Sequence, residues 1–219
     1  LGDVVSEPQT YTIEQADLTA NDFTFTAPNH LEYNEQAKAA AVAFNNGANG
    51  TIALHYYDAS VNPKLPIDAG TYTVKIDVRG CTNFNDVRNL TANGWKFTIT
   101  PADLIVGDNL ATGIRYTDTA EKTYTASDFG FTVGGALFDR GNVTDASSIL
   151  ETDYPKIENG SVRVKLKSGL ELNNQTVTIP LRFLPNSANY NAKEITLTIT
   201  LSNKDPQAAL NITSPNTVT

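Results

Sequence analysis

Three segments of this chain repeat one phrase. Residues 10–18 read TYTIEQADL, residues 96–104 read KFTITPADL, and residues 196–205 read TLTITLSNKD. Each is a run of alternating residues that leaves through polar ones. Near-identical endings spaced by roughly a hundred residues predict one module type, repeated. A chain organised this way is a series of units on one plan, suited to holding or displaying something.

The alternation recurs between those phrases. Residues 22–26 alternate Phe23 and Phe25 with polar neighbours. Residues 51–57 place Ile52, Leu54 and Tyr56 on one face and Ala53, His55 and Tyr57 on the other. Residues 70–78 place Tyr72, Val74, Ile76 and Val78 inward, with Thr71, Thr73, Lys75 and Asp77 outward. Farther on, Phe129, Phe131 and Val133 alternate, then Val162, Val164 and Leu166, then Val177, Ile179, Leu181 and Phe183, then Leu197, Ile199 and Leu201. A strand repeats every two residues and a helix every ~3.6, so these segments predict strands. Residues 35–44 (EQAKAAAVAF) carry good helix formers. Turn residues bracket them and their neighbours are strands, so context predicts strand there too. Residues 140–160 have no counterpart in the first repeat, and their ASSIL run predicts one short helical turn.

Composition narrows the class. At 219 residues the chain exceeds one small sandwich. Apolar residues make up 40% and charged residues 18%, which excludes a charged disordered tail. A net charge of −8 repels phosphate backbones, so no nucleic-acid partner is expected. No apolar run approaches the ~20 residues a bilayer requires, so no membrane span is expected. Cys81 is the one cysteine, so no intrachain disulfide forms; this usage suits an exported bacterial protein. The chain has no Met and opens on Leu1, which predicts a fragment or mature form without its targeting segment.

The first repeat also carries a series of phrases in a set order. Leu31-Glu32-Tyr33-Asn34 is followed by Asn46-Gly47, Gly50-Thr51-Ile52, Tyr56-Tyr57, Ala69-Gly70-Thr71-Tyr72-Thr73-Val74 and Asn83-Phe84-Asn85. This region, about residues 16–104, resembles the MBG/YDG-type immunoglobulin-like repeats of large bacterial surface proteins, common in Bacteroidetes. The second repeat keeps Thr123-Tyr124, Asn189-Tyr190-Asn191 and the closing residues 196–200, and has no AGTYTV phrase. The resemblance implies stalk, spacer or adhesion modules at a cell surface, and no enzyme.

Catalytic and metal signatures are sparse. His30 sits in a turn sequence and His55 lies opposite Ile52 and Leu54; neither has an acid and a nucleophile at a recognisable spacing. One Cys and two separated His give no zinc spacing. Asp58, Asp68, Asp77 and Asp86 stand near turns and make calcium the one candidate cofactor, although no EF-hand-type loop is present. Arg163, Lys165 and Lys167 alternate and predict a basic ridge, or a solvated face. Trp95, Tyr56 and Tyr57 are the candidate ligand contacts, because aromatic rings form sugar platforms; a core or sheet-corner role is the reading the residues favour over it.

The reading is an all-β chain of two tandem immunoglobulin-like antiparallel β-sandwiches of about seven strands each. Residues 1–15 form a leading strand or the end of a preceding module. Residues 16–101 form the first sandwich, and residues 102–204 the second, with an insertion near 140–160. Residues 205–219 form a tail or the start of a further module. The expected function is a non-catalytic stalk, spacer or adhesion module, monomeric as a fragment and extracellular or on a bacterial surface. Expected partners are a surface glycan or a host or neighbouring protein. The alternatives are a carbohydrate-binding module and an accessory domain of a larger extracellular enzyme.

Overall fold

The computed structural model describes residues 7–144, 146–173 and 175–203. Residues 205–219, read above as a tail or further module, lie outside the described residues, as do residues 1–6. The fold is all-β, and the chain divides into two compact units, Leu1–Pro101 and Ala102–Thr219.

In the first unit a hairpin of β1 (Phe23–Thr26) and β2 (Ala41–Phe44) pairs Phe23 opposite Phe44. The second sheet is built on β4 (Gly70–Arg79), which pairs antiparallel with β3 (Thr51–Tyr57), β5 (Val87–Leu90) and β6 (Lys96–Ile99). Every second residue of β4 is buried: Tyr72, Val74, Ile76 and Val78. They share a core with Phe23, Trp95, Phe97 and Ile99. Among the described residues this unit has six strands, against the seven or so that the sequence predicts.

Strand structure covers only the second half of residues 35–44. Before it, Asn34 makes an Asx turn onto the Gln36 amide and Glu35 takes a left-handed φ of 64°. The Lys38 amide then donates to the Pro66 carbonyl (2.9 Å), so this stretch bonds to a loop instead of a ladder.

The second unit places β7 (Leu110–Arg115), β13 (Lys193–Ser202), β12 (Thr176–Pro185) and β9 (Gly135–Asp139) in one sheet, in that order. A second sheet joins β10 (Lys156–Glu158), β11 (Ser161–Val164) and β8 (Lys122–Tyr124). The strand pairs are antiparallel as expected, with one exception: β7 and β13 run parallel. A parallel pair needs a long crossover, and here, among the described residues, the first strand of the unit meets its last. No local pattern encodes such a pairing.

Phe129 and Phe131 also depart from the sequence reading. A 3-10 turn over Ala126–Phe129 carries Phe129, capped by Thr125 and Asp128, and Gly130 leaves it in the left-handed region. Both rings are buried, and Phe131 stacks on Phe183 at 3.8 Å between centroids. The insertion supplies a short helix α1 (Ala146–Ile149), and its Ile149 and Leu150 are buried in the core.

Two devices recur in both units. In the first, Ala16 bridges Phe84 in parallel, and the Asn85 side chain donates to Asp17 (2.8 Å). In the second, Ala102 bridges Tyr190 and Asn191 donates to Asp103 (2.8 Å). The Ala-Asp of each repeated phrase is thus clasped by the Asn-aromatic-Asn turn of its own unit. Farther on, the Tyr33 amide donates to Thr100, and the Tyr116 amide donates to Ser202, both at 2.9 Å. Asn34 then turns onto Gln36 and holds Lys38, as Asp118 turns onto Ala120 and holds Lys122. Asn85→Ala removes the bond to Asp17 and a longer one to the Gln15 carbonyl (3.5 Å), Asn191→Ala removes the bond to Asp103, and each will cost its unit about 1 kcal/mol. Hydrogen exchange checks this: the Ala16 and Asn85 amides exchange faster in the first variant, and the Ala102 and Asn191 amides in the second.

Candidate functional site

The three candidate aromatics do not form a platform. The turn at Ala92, to which the Trp95 amide donates, swings the indole inward. Trp95 is 5% exposed, stacked on Phe25 and edge-on to Phe23, each 6.1 Å away. Tyr56 faces the same core: its ring meets Phe97 edge-on at 6.2 Å and its hydroxyl accepts from the Ala40 amide. Strand alternation sends only Tyr57 to the outer face of β3, where the Lys75 ammonium lies 4.6 Å from its ring centroid.

The calcium candidates are likewise dispersed. Asp58 caps its own turn through Ser60 and Asn62, Asp68 pairs with Lys64 (3.0 Å), and Asp86 accepts from the Gly80 amide. Among the described residues, no group of three or more His, Cys, Asp or Glu is placed to hold a metal. Cys81 is buried and free, and burial pushes its thiol up. Arg163 is no free ridge: its guanidinium meets Glu121 (3.3 Å) and Glu158, and Glu121 also accepts from the Tyr154 hydroxyl.

The feature that sequence reading missed is the outer face of the first unit's large sheet. Register places Thr51 beside Arg79, Ala53 beside Asp77, His55 beside Lys75, and Tyr57 beside Thr73, which pairs on its other side with Lys96. Asp77 lies at the centre. Its carboxylate accepts from the Asn89 amide (2.9 Å), with His55 at 3.6 Å and Arg79 at 3.9 Å. That amide first, and then the charges of His55, Arg79 and Arg88, hold its carboxyl below the usual range. The outward alternation of Lys75 and Asp77 was legible. The lateral approach of Arg88 and Lys96 was not, because it depends on strand register.

Other acids are held low too: Asp22 by the Thr19 amide, Asp58 by the Asn62 amide, Asp118 by Lys122 and Glu121 by Tyr154. A depressed folded-state pKa contributes stability above the unfolded value, and this is lost as pH falls through the folded one. The melting temperature should therefore stay level from about pH 7 to 5 and fall below about pH 4. Calorimetry across that range checks it.

No family model and no curated protein matches the chain. Among solved structures the chain is similar to SporoSAG from Toxoplasma gondii, at 14% identity, over 88% of this chain and 95% of that one. The TM-score is 0.25, too low to carry an argument. Among the described residues, no helix is long and apolar enough to cross a membrane.

Proposed function

We propose that this chain is a stretch of tandem immunoglobulin-like repeats of the MBG/YDG type, exported and displayed on a bacterial surface, where it spaces or adheres without catalysis. One observation carries the reading: the Ala-Asp phrase closes onto an Asn-aromatic-Asn turn at the head of both units, with the same bonds. A device built twice from matching residues is the mark of a repeated module. The segment over residues 10–15 supports the same reading. Its Tyr11 and Ile13 are 83% and 95% exposed, while Phe97 and Ile99, their counterparts in the next phrase, are 5% and 1%. Residues 10–15 form no strand within this unit, and in an array such a segment completes the sheet of a neighbouring one.

The test is antibody labelling of the source cells with serum raised against this chain. Intact cells should label as strongly as permeabilised ones, and protease added outside should remove the signal. Labelling that appears only after permeabilisation sinks the surface reading.

A further inference from the structure

We propose that the outer face of the β3–β4–β6 sheet docks an acidic polysaccharide, a sugar chain bearing carboxylates or sulfates. Charge segregation is the first ground. Residues 1–101 hold six Lys and Arg against eleven Asp and Glu. Four of the six, Lys75, Arg79, Arg88 and Lys96, gather on this face, where Asp77 is the carboxylate in the strand grid. The other two have partners elsewhere, Lys38 with Asn34 and Lys64 with Asp68.

Neither of the ordinary reasons for surface lysines accounts for this. Edge strands carry cations to block aggregation, but Lys75 and Arg79 stand on β4, which has neighbours on both sides. The architecture does not require them either. Matching the buried rows of β4 and β12 puts Thr178, Pro180, Arg182 and Leu184 where β4 has Thr73, Lys75, Asp77 and Arg79. The same strand in the second unit does without this grid.

The partner follows from the surface. From the Lys96 row to Arg79 the cations run six residues along β4, about 20 Å at the usual rise, which suits an extended chain. Hydroxyls flank this run at both ends: Thr51 stands beside Arg79, and beyond the Lys96 row the Thr71 and Thr98 hydroxyls are hydrogen-bonded at 2.9 Å. An acidic peptide would seek an apolar pocket, and the face presents only Ala53 and Tyr57. Nucleobases would seek an open ring to stack on, and Lys75 already covers Tyr57. Asp77 steadies Arg79 and His55 within the grid.

The inference concerns the first unit alone and stands apart from the array reading. The test is surface plasmon resonance of the full chain over polygalacturonate, dextran sulfate, neutral dextran and a single-stranded oligonucleotide. Binding to at least one acidic polymer, weakening as salt screens the charges, and none to dextran is expected. Lys75→Thr/Arg79→Thr should lower that affinity about tenfold. The same number of charges removed from the second unit, Lys165→Thr/Arg182→Thr, should change it less than about twofold. Circular dichroism melts confirm that both variants fold. Silence on both acidic polymers at low salt, equal loss in the two variants, or equal binding to the oligonucleotide each overturns the proposal. Whether polygalacturonate or dextran sulfate binds better identifies the carboxylate or the sulfate as the recognised group.

Discussion

Trp95→Ala will unfold the first unit at denaturant concentrations that leave the second folded. The indole is almost fully buried and lies between Phe23 and Phe25 of the hairpin and the core row of β4. Removing a buried Trp leaves a void the neighbours only partly fill, at a cost of about 3–5 kcal/mol. A unit of this size has about 5–15 kcal/mol in total. The second unit has its own core, built on β12 and β13, and should keep its midpoint. Urea titration by circular dichroism, with hydrogen exchange to assign each transition, gives the answer. Tyr57→Ala, which loses chiefly its contact with Lys75 on the outer face, should cost under about 1 kcal/mol. A first-unit loss below about 1 kcal/mol for Trp95→Ala would falsify the placement of that ring. If a ligand is found for this chain, its loss in Trp95→Ala reports unfolding, and only outer-face variants report contact.

The sequence was most legible where one face of a strand is wet and the other dry. Residues 51–57 and 70–78 alternate without a break, and they became β3 and β4 with the expected sides. Thr176–Pro185 and Lys193–Ser202 follow the same rule. Legibility failed wherever a partner lies far along the chain. Leu110–Arg115 alternates poorly and is a strand because β13 lies beside it. Phe129 and Phe131 keep the spacing of a strand, yet Thr125 and Asp128 cap a tight turn that ends on Phe129, and Gly130 separates the two in the left-handed region. The same limit applied to the site. Aromatic type alone singles out Trp95, Tyr56 and Tyr57 and leaves a core role and a platform both open, because type cannot tell a buried ring from an exposed one. The cationic face comes from four residues on three strands, β4, β5 and β6, and became visible only once register was fixed.

Gly107→Ala will destabilise the second unit by about 2–4 kcal/mol, through two separate costs. Gly107 has a φ of +78°, where an alanine loses about 1 kcal/mol to its own backbone. Its new Cβ would also lie 2.3 Å from the Phe131 ring. That ring cannot yield cheaply, because it is buried and stacked on the fully buried Phe183. The loop cannot yield either: the Lys193 ammonium donates to the carbonyls of Leu104, Val106 and Gly107, and the Asp108 amide donates to Phe129. Gly141→Ala isolates the backbone cost. Gly141 has a φ of +74° and open space around the would-be Cβ, so its loss should stop near 1 kcal/mol. The difference between the variants, read from urea midpoints at a common slope, measures how firmly Phe131 is held. Equal losses would mean that the ring moves aside and the loop is looser than its bonds imply. The outcome matters beyond stability, because residues 105–109 connect the repeated Ala-Asp-Leu phrase to β7. The first unit goes from the same phrase directly into the capped turn before β1. A rigid connector here would be how the second unit extends along β7 and β13 a parallel pairing that the first unit makes at the single bridge of Glu32 and Thr100.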